Sequence, residues 1–207
     1  LCRHDDFSMK ILALETSTDS CSAALLLPDR QLSASRVEPR SHTRLLLPMI
    51  DDLLKQGSTS LAALTCLAFG CGPGSFTGLR IACSTIQGLS MAHDKPILPI
   101  SSLRALAQRI YRESNHPRVF AYLDARQGQI YGGHYAIDAA CLMQMVHADA
   151  VYPLEALTDF EKDWTVATGY PQAQDLLSMA VEGYHAGKAF GAADLNPVYL
   201  ASLFQQD

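Results

Sequence analysis

Residues 70–80 read GCGPGSFTGLR, and this stretch joins an apolar run at 64–69 to the helical pattern that follows it. Glycine-rich turns that open a helix often bind phosphate through free backbone N–H groups. The dinucleotide-binding template G-x-G-x-x-G fails here, because Ser75 and Thr77 stand where it requires glycine. The lysine that a P-loop places after its last glycine is absent after Gly78. The stretch is therefore predicted to be a sharp strand-to-helix turn, in which glycines allow the bend and Ser75 or Thr77 caps the helix.

The elements around this turn follow the order of an RNase H-like lobe. Three short apolar runs separated by turn residues predict an antiparallel meander, and the leucine-rich segment after them has helical spacing. A strand, a helix and a last strand complete the order β-β-β-α-β-α-β. The predicted segments are strands at 11–14, 21–27, 31–37, 64–69 and 97–100 and helices at 42–56 and 76–92.

The second half of the chain restarts the same scheme in a shorter form. We expect residues 1–8 to be an upstream segment outside the fold, residues 9–100 to form an N-terminal RNase H-like lobe, and residues 101–207 to form a smaller C-terminal lobe. The predicted segments of this half are helices at 103–112, 175–182 and 184–189 and strands at 119–123, 129–137, 142–151 and 166–168.

Composition disfavours several classes of protein. With 48% hydrophobic and 18% charged residues the chain is typical of a soluble protein, and no run approaches the ~18 apolar residues of a membrane span. The net charge of −5 disfavours a free-standing nucleic-acid binder. Arg30, Arg36, Arg40 and Arg44 form a local exception, which is either a solvated basic edge or a binding patch. The six cysteines contain no C-x-x-C pair, which indicates reduced thiols in the cytoplasm.

Four motifs occur in the order found in one known family. They are MKILALETS at 9–17, GPGSFTGLR at 72–80, Asp124-Ala125-Arg126 with Tyr131, and PVYL at 197–200. Together they resemble the bacterial TsaB (YeaZ) family. The resemblance implies an α/β fold of two RNase H-like lobes of the sugar-kinase/Hsp70/actin (ASKHA) type, with the second lobe shortened. Three positions depart from the family pattern, namely Glu15 for Asp, Gln129 for Glu and Ala201 for Arg.

The resemblance also implies a role in tRNA modification. Members of the family take part in making threonylcarbamoyladenosine at position 37 of tRNA, as a non-catalytic scaffold or activator of the transferase TsaD. An ATPase, TsaE, joins the complex, and TsaC makes the threonylcarbamoyl-adenylate intermediate. We therefore expect a TsaD heterodimer, a homodimer when the chain is alone, contact with tRNA only through the complex, and a cytoplasmic location away from membranes.

The metal site of TsaD-like proteins can be compared with this chain. Those proteins carry H-x-x-x-H at the start of a helix, and alignment on the Leu-Leu-Pro segment puts Arg40 and Arg44 at the two histidine positions. Arginine is always protonated and only donates, so it cannot ligate a cation, and His42 stands alone between the two. A nuclease needs several converging carboxylates, but the strand end at 70–72 offers none to accompany Glu15. No metal site and no catalytic residue are therefore predicted.

Two turns, one per lobe, hold nucleotide phosphates in proteins of this fold. Glu15, Thr16 and Ser17 begin the first turn and are the possible nucleotide-proximal residues, whereas the second turn at 124–128 presents Arg126 and one glycine. No equivalent of the P-loop lysine is present. The chain is therefore expected to need no cofactor, with weak or shared ATP or ADP binding inside the complex. An enzyme of the same fold, either an ATP-dependent phosphotransferase or a glycoprotease-like protein, is the alternative.

Association with another protein is the role that remains. The helical patterns at 42–56 and 76–92 are apolar on more than one face, so each needs cover beyond the sheet of its own lobe. The two helices either bury against each other or form an interface with TsaD, which the resemblance favours. The predicted partner-interface residues are Leu45, Leu46, Met49, Ile50, Leu53, Gly78, Ile81, Ala82, Thr85 and Leu89. The family-motif loop comprises Gly72, Pro73, Gly74, Ser75, Phe76, Thr77, Gly78 and Arg80.

Overall fold

The computed structural model describes residues 9–195 and Leu200. The predicted upstream segment 1–8 and most of the motif at 197–200 lie outside the described residues. The strands are β1 (Ile11–Glu15), β2 (Ser20–Leu26), β3 (Gln31–Val37), β4 (Cys66–Gly70), β5 (Ile97–Ile100), β6 (Arg118–Arg126), β7 (Gln129–Ile137), β8 (Met143–Pro153) and β9 (Thr165–Thr168). The helices are α1 (His42–Gln56), α2 (Phe76–His93), α3 (Ser102–Ser114), α4 (Leu157–Phe160) and α5 (Ala173–His185).

The first sheet has the strand order β3-β2-β1-β4-β5. β1, β2 and β3 form the predicted antiparallel meander, and β4 lies parallel to both β1 and β5. β1 and β4 are buried along their whole length, as their continuous apolar runs require, because parallel strands in the middle of a sheet are covered on both faces. The order of elements predicted for the first lobe is therefore confirmed.

Helices cover the first sheet on both faces. α1 and α2 pack against one face through Leu46, Ile50 and Ile86. α5 packs against the opposite face through Leu176 and Ala180, which are fully buried there. The sequence of α5 lies in the half of the chain predicted as the second lobe, yet this helix completes the core of the first. A helix from the end of the described chain therefore joins the two halves.

The second sheet is a shortened repeat of the first. Its order is β8-β7-β6-β9, with β6 and β7 antiparallel and β6 and β9 parallel, which matches the first four strands of the other sheet. Within the described ranges this sheet has four strands, and the short α4 stands where the first lobe has the long helix α1. α3 packs against its buried face through Leu103 and Leu106. The prediction of two related lobes with a shortened second one is confirmed.

Two local predictions for the second half are wrong. The helices predicted at 175–182 and 184–189 are replaced by one helix, α5, which runs through Gly183 and ends at His185, so residues 186–189 are not helical. A Cβ on Gly183 would lie 2.7 Å from Leu98 Cδ2, so glycine at this position allows α5 to lie close to β5. The helical turns between Leu154 and Phe160 were not predicted, because this segment is too short to show a helical period.

The cysteines only partly agree with the prediction. Cys21, Cys66, Cys71 and Cys83 are free, buried thiols. Burial raises the pKa of Cys66 and of Cys71 to about 12, so both stay protonated at neutral pH. Cys141 is disulfide-bonded, which contradicts the expectation that all cysteines are reduced.

The described helices include none with the length and apolar character needed to cross a bilayer.

A cluster of aromatic rings surrounds a buried histidine in the second lobe. The His134 ring lies 4.7 Å from the Phe120 ring, 5.0 Å from Phe160 and 4.9 Å from Trp164, measured between ring centroids. Its Nδ1 is buried and has no hydrogen-bond partner. Burial, and next the neighbouring His147, lower the pKa of His134 below its ordinary value of 6.5. The fold therefore favours the neutral imidazole.

Protonation of His134 should destabilise the protein. Since the pKa of His134 is lower in the folded than in the unfolded state, its contribution to the free energy of unfolding is constant above about pH 7 and declines as the pH falls below about 6.5. Replacement by phenylalanine should remove this decline, and urea denaturation at pH 7.5 and pH 5 measures it. Trp164 is the single tryptophan, so its fluorescence reports on the same cluster.

The exposed His116 provides the control for this prediction. The carboxyl groups of Asp149 and Asp175 have a raised pKa and change stability with pH in the opposite sense. The informative quantity is therefore the difference between His134→Phe and the wild type. A difference no larger than that of His116→Phe would contradict the assignment.

Candidate functional site

The glycine-rich loop is fastened to the turn between β1 and β2. Ser75 N donates to Ser17 O at 2.7 Å, and Thr16 Oγ1 donates to Gly78 O at 2.8 Å. Ser75 Oγ accepts from Gly78 N at 3.3 Å, so Ser75 caps α2 as predicted. The loop therefore ties the turn after β1 to the start of α2.

Two of its glycines are required by this close approach. Gly74 has φ +155°, and a Cβ there would collide with Ser17. A Cβ on Gly78 would collide with the carbonyl oxygen of Thr16. Gly78 was predicted as a residue of the partner interface. In the structure, the backbone that passes it belongs to the turn of the same chain.

Glu15 is the centre of this junction. Its side chain is fully buried; Oε1 accepts from Ser17 N at 2.6 Å and Oε2 accepts from Ser102 Oγ at 2.9 Å. Gly70 makes room for the carboxylate, since a Cβ there would collide with it. Burial raises the pKa of Glu15, and these hydrogen bonds oppose the rise. Thr16 and Ser17 are buried as well. Glu15, Thr16 and Ser17, which were predicted to lie near a nucleotide, are thus engaged in contacts within the protein.

A cleft of about 690 Å³ lies between the two lobes. The first turn lines it with Ser17 and Thr18, and the second turn lines it with residues 124–126, so the structure brings the two predicted turns together. Tyr131 and Tyr170 complete the second wall. Arg126 is the cation among the lining residues and no lysine is present, so the cleft resembles a nucleotide site in position but has few charges to hold phosphate.

The two arginines that the sequence comparison put at metal-ligand positions lie at the surface. Arg40 and Arg44 are exposed, and Arg44 forms an ion pair with Glu38. His42 is buried and donates from Nε2 to Thr18 O at 2.8 Å, which ties α1 to the first turn. Across residues 9–195, no three histidine, cysteine or acidic side chains are placed to share a metal ion.

The structure buries six of the ten predicted interface residues. Leu45, Ile81, Thr85 and Leu89 keep partial exposure, and whether they contact a partner stays a prediction. Of the other six, five cover the sheet of their own lobe and Gly78 lies against the turn after β1, so the apolar stripe of each helix is mainly core. These six are Leu46, Met49, Ile50, Leu53, Gly78 and Ala82.

Beside the predicted interface residues, α2 also has an exposed face. Phe76 is 54% exposed at one end of the face and Met91 is 78% exposed at the other. The guanidinium of Arg80 lies 3.9 Å from the centroid of the Phe76 ring. Ser84 and Gly88 lie between these ends and are exposed, and a Cβ on Gly88 would meet no atom within 4 Å. The face therefore has large side chains at its ends and small residues at its centre.

α1 contributes to the same surface. A groove of about 480 Å³ runs between the two helices and is lined by Thr43 of α1 and by Phe76, Ile81 and Thr85 of α2. Leu47, 57% exposed, lies on α1. The predicted interface set included the small residues Gly78, Ala82 and Thr85 but left out Leu47, Ser84 and Gly88, which are exposed. Leu47 is apolar but lies off the stripe of α1 that covers the sheet, and this mismatch was the signal in the sequence that could have identified it.

Comparison with known proteins defines the fold class of this chain. The family model described as TsaD: tRNA N6-adenosine threonylcarbamoyltransferase matches residues 36–188. The two sheets and this match assign the chain the two-lobed ASKHA-type α/β fold.

Relatives that match over nearly their whole length define the family of this chain more narrowly. TsaB of Escherichia coli (strain K12), a tRNA threonylcarbamoyladenosine biosynthesis protein, is 33% identical and aligns with 93% of this chain and 94% of its own. TsaB of Haemophilus influenzae is 30% identical with the same coverage. The structure of YeaZ from Pseudomonas aeruginosa is 38% identical with a TM-score of 0.86, covering 93% of this chain and 100% of that one. The chain belongs to the TsaB (YeaZ) family of tRNA threonylcarbamoyladenosine biosynthesis proteins.

Two glycines of α2 should respond in opposite ways to the same substitution. Gly78→Ala should lower the free energy of unfolding by about 2–4 kcal/mol, because the new methyl group meets backbone that cannot move freely. Gly88→Ala should raise it by about 0.5–1 kcal/mol, because alanine favours a helix and the space is open. Each variant is the control for the other in urea denaturation, and equal effects would contradict the packing described for Gly78.

Proposed function

We propose that this chain is a non-catalytic scaffold or activator of the complex that makes threonylcarbamoyladenosine at position 37 of tRNA, and that it acts by binding a TsaD-type transferase through the exposed face of α2. Family membership supports the pathway. The single observation that supports the binding role is the exposed Phe76, Arg80, Ser84, Gly88 and Met91 on one side of α2.

The shape of this face fits a helix of a partner. Small residues let two helices approach closely, and larger residues on either side fill the space where the helices diverge. Glycine inside a helix costs about 1 kcal/mol relative to alanine. No atom of the described chain requires glycine at Gly88, whereas Gly78 is required by Thr16. A partner backbone crossing α2 near Ser84 and Gly88 would account for this difference.

A TsaD paralogue is the partner that the resemblance favours. The TsaD family model matches this chain over both lobes, so the transferase is expected to carry a related pair of helices on its own first lobe. Two such pairs would form a helix–helix interface. A second copy of this chain presents the same face and can take that place when TsaD is absent, which gives a homodimer. TsaE and tRNA then join through the complex.

The chemistry of the chain supports a role without catalysis. Glu15 uses both carboxylate oxygens inside the protein, and the cleft offers Arg126 but no lysine. Arg40 and Arg44 stand at the metal-ligand positions. The chain is therefore proposed to have no cofactor of its own and to bind ATP or ADP weakly, or jointly with the transferase, in the cytoplasm.

A charge placed at the centre of the face should prevent the complex. Ser84→Arg puts a long cation where the partner helix is proposed to pass, and the side chain points away from the core, so the chain should still fold. After mixing with the TsaD paralogue, size-exclusion chromatography should show a complex for the wild type and separate peaks for the variant. Ile81→Glu and Leu89→Glu test the surface less cleanly, because both residues pack on the core.

The matched control is Ser114→Arg, which makes the same exchange at an exposed serine on α3. It should form the complex as the wild type does. A Ser84→Arg chain that still forms the complex would show that the interface is elsewhere. A wild-type chain that forms none, with or without ATP, would contradict the scaffold role itself.

The cleft is the observation that favours the alternative of an ATP-dependent phosphotransferase. Since it lacks a lysine and Glu15 is engaged, the purified chain alone should hydrolyse ATP no faster than a buffer blank. A phosphate-release assay at millimolar ATP measures this. Robust turnover that is lost in Arg126→Ala, with unchanged circular dichroism, would establish an enzyme instead.

A further inference from the structure

Two consecutive serines connect the lobes at the start of α3. Ser102 Oγ donates to Glu15 Oε2 of the first lobe at 2.9 Å. Ser101 Oγ donates to Asp149 Oδ2 of the second lobe at 2.6 Å and lies 3.2 Å from Tyr135 Oη. Tyr135 Oη donates to the other oxygen of Asp149. Neighbouring residues on one backbone thus hold a buried carboxyl group of the first lobe and a partly buried one of the second.

Each carboxyl group occupies a space that a glycine leaves open. A Cβ on Gly70 would collide with the Glu15 carboxylate and lie 2.8 Å from Ser102 Oγ. A Cβ on Gly133 would collide with Asp149 Oδ1. The arrangement is the same in both lobes, with a glycine on a strand, a carboxyl group against it and a serine hydroxyl bound to that group.

The carboxyl groups depend on these hydroxyl donors. Among the ion pairs of the described residues none includes Glu15 or Asp149. Burial raises the pKa of both, and hydrogen bonds from Ser102 and Ser101 oppose the rise. A buried carboxylate without a cation is stable only when hydrogen bonds replace its water. Loss of either serine hydrogen bond would therefore destabilise the carboxylate that accepts it.

The lobes are also joined at a second place, through α5. Arg104 Nη2 donates to Glu182 Oε2 at 2.9 Å, and Arg112 Nε donates to Asp175 Oδ1 at 2.7 Å. Both arginines lie on α3, which packs on the second sheet, and both acids lie on α5, which packs on the first. One point of attachment allows a pivot, but two separated points do not.

We infer that Glu15, Ser101, Ser102, Tyr135 and Asp149 form an interlobe clamp that holds the two lobes in one relative orientation and so fixes the width of the cleft. Glu15 directly precedes Thr16 and Ser17, whose turn lines that cleft, so the clamp acts beside it. The contacts between α3 and α5 would be the pivot that remains if the clamp opens. The inference does not depend on the proposed partner.

Distance measurement between spin labels on the isolated chain tests the clamp. The labels are attached to p-acetylphenylalanine at Asp29 in the first lobe and Asp159 in the second, which are 70% and 77% exposed, so the native cysteines are not involved. The wild type should give one narrow distance distribution by pulsed electron paramagnetic resonance. Asp149→Ala should widen it by roughly twofold or more, because the second lobe can then pivot.

Two further variants open the clamp while keeping the Ser101 cap of α3. Ser102→Ala removes only the bond to Glu15, and Tyr135→Phe removes only the hydroxyl group, and both should also widen the distribution. Asp124→Ala is the matched control, because that carboxylate accepts from Arg126 N within its own turn. It should leave the width unchanged.

Circular dichroism confirms that each labelled variant is folded. Distributions as narrow as the wild type in folded Asp149→Ala and Ser102→Ala would overturn the clamp. Equal widening in Asp124→Ala would overturn it too, since the effect would then not be specific to the contacts of the two serines. If Asp149→Ala does not fold, the widths of Ser102→Ala and Tyr135→Phe decide the question.

Discussion

A carboxylate without a countercharge organises this protein. Glu15 lies at the end of the first strand, where the chain must leave the sheet, the glycine-rich loop must turn into α2, and α3 must begin. Its two oxygens take donors from the first turn and from Ser102, and Gly70 leaves the space that it fills. A buried carboxylate is strongly destabilising unless its donors are in place. The burial of one acid therefore positions three segments that are distant in sequence.

The same junction supports the proposed role in association. The cleft between the lobes has both turns, but the first turn is hydrogen-bonded to the glycine-rich loop, and Glu15 at the end of β1 is buried. The surface left available is the outer side of α2, which begins at that loop. The glycine-rich loop, whose sequence resembles a phosphate-binding turn, here supports the start of the exposed helix α2.

Much of the fold could be predicted because long apolar runs and helical periods are local signals. The strand order of the first lobe, the Ser75 cap of α2 and the shortened second lobe follow from such patterns. The interface could not be predicted in the same way. Apolar residues such as Leu46 and Ile50 look alike in sequence whether they cover a sheet or meet a partner, and here they cover the sheet. The unity of α5 was missed because Gly183 resembles a helix stop, although it is needed for packing against Leu98.

The position of α5 has a consequence for how the chain reaches its native state. The first five strands and two long helices are complete by residue 100, but one face of their sheet is covered by a helix that begins at Ala173. During synthesis the first lobe would therefore emerge with an apolar face exposed, and it could not close until more than a third of the chain had followed. Contacts so distant in sequence slow folding, because a long loop must be ordered before they form. The two lobes are separate in architecture, but the first completes its core only with a helix from the second half of the chain.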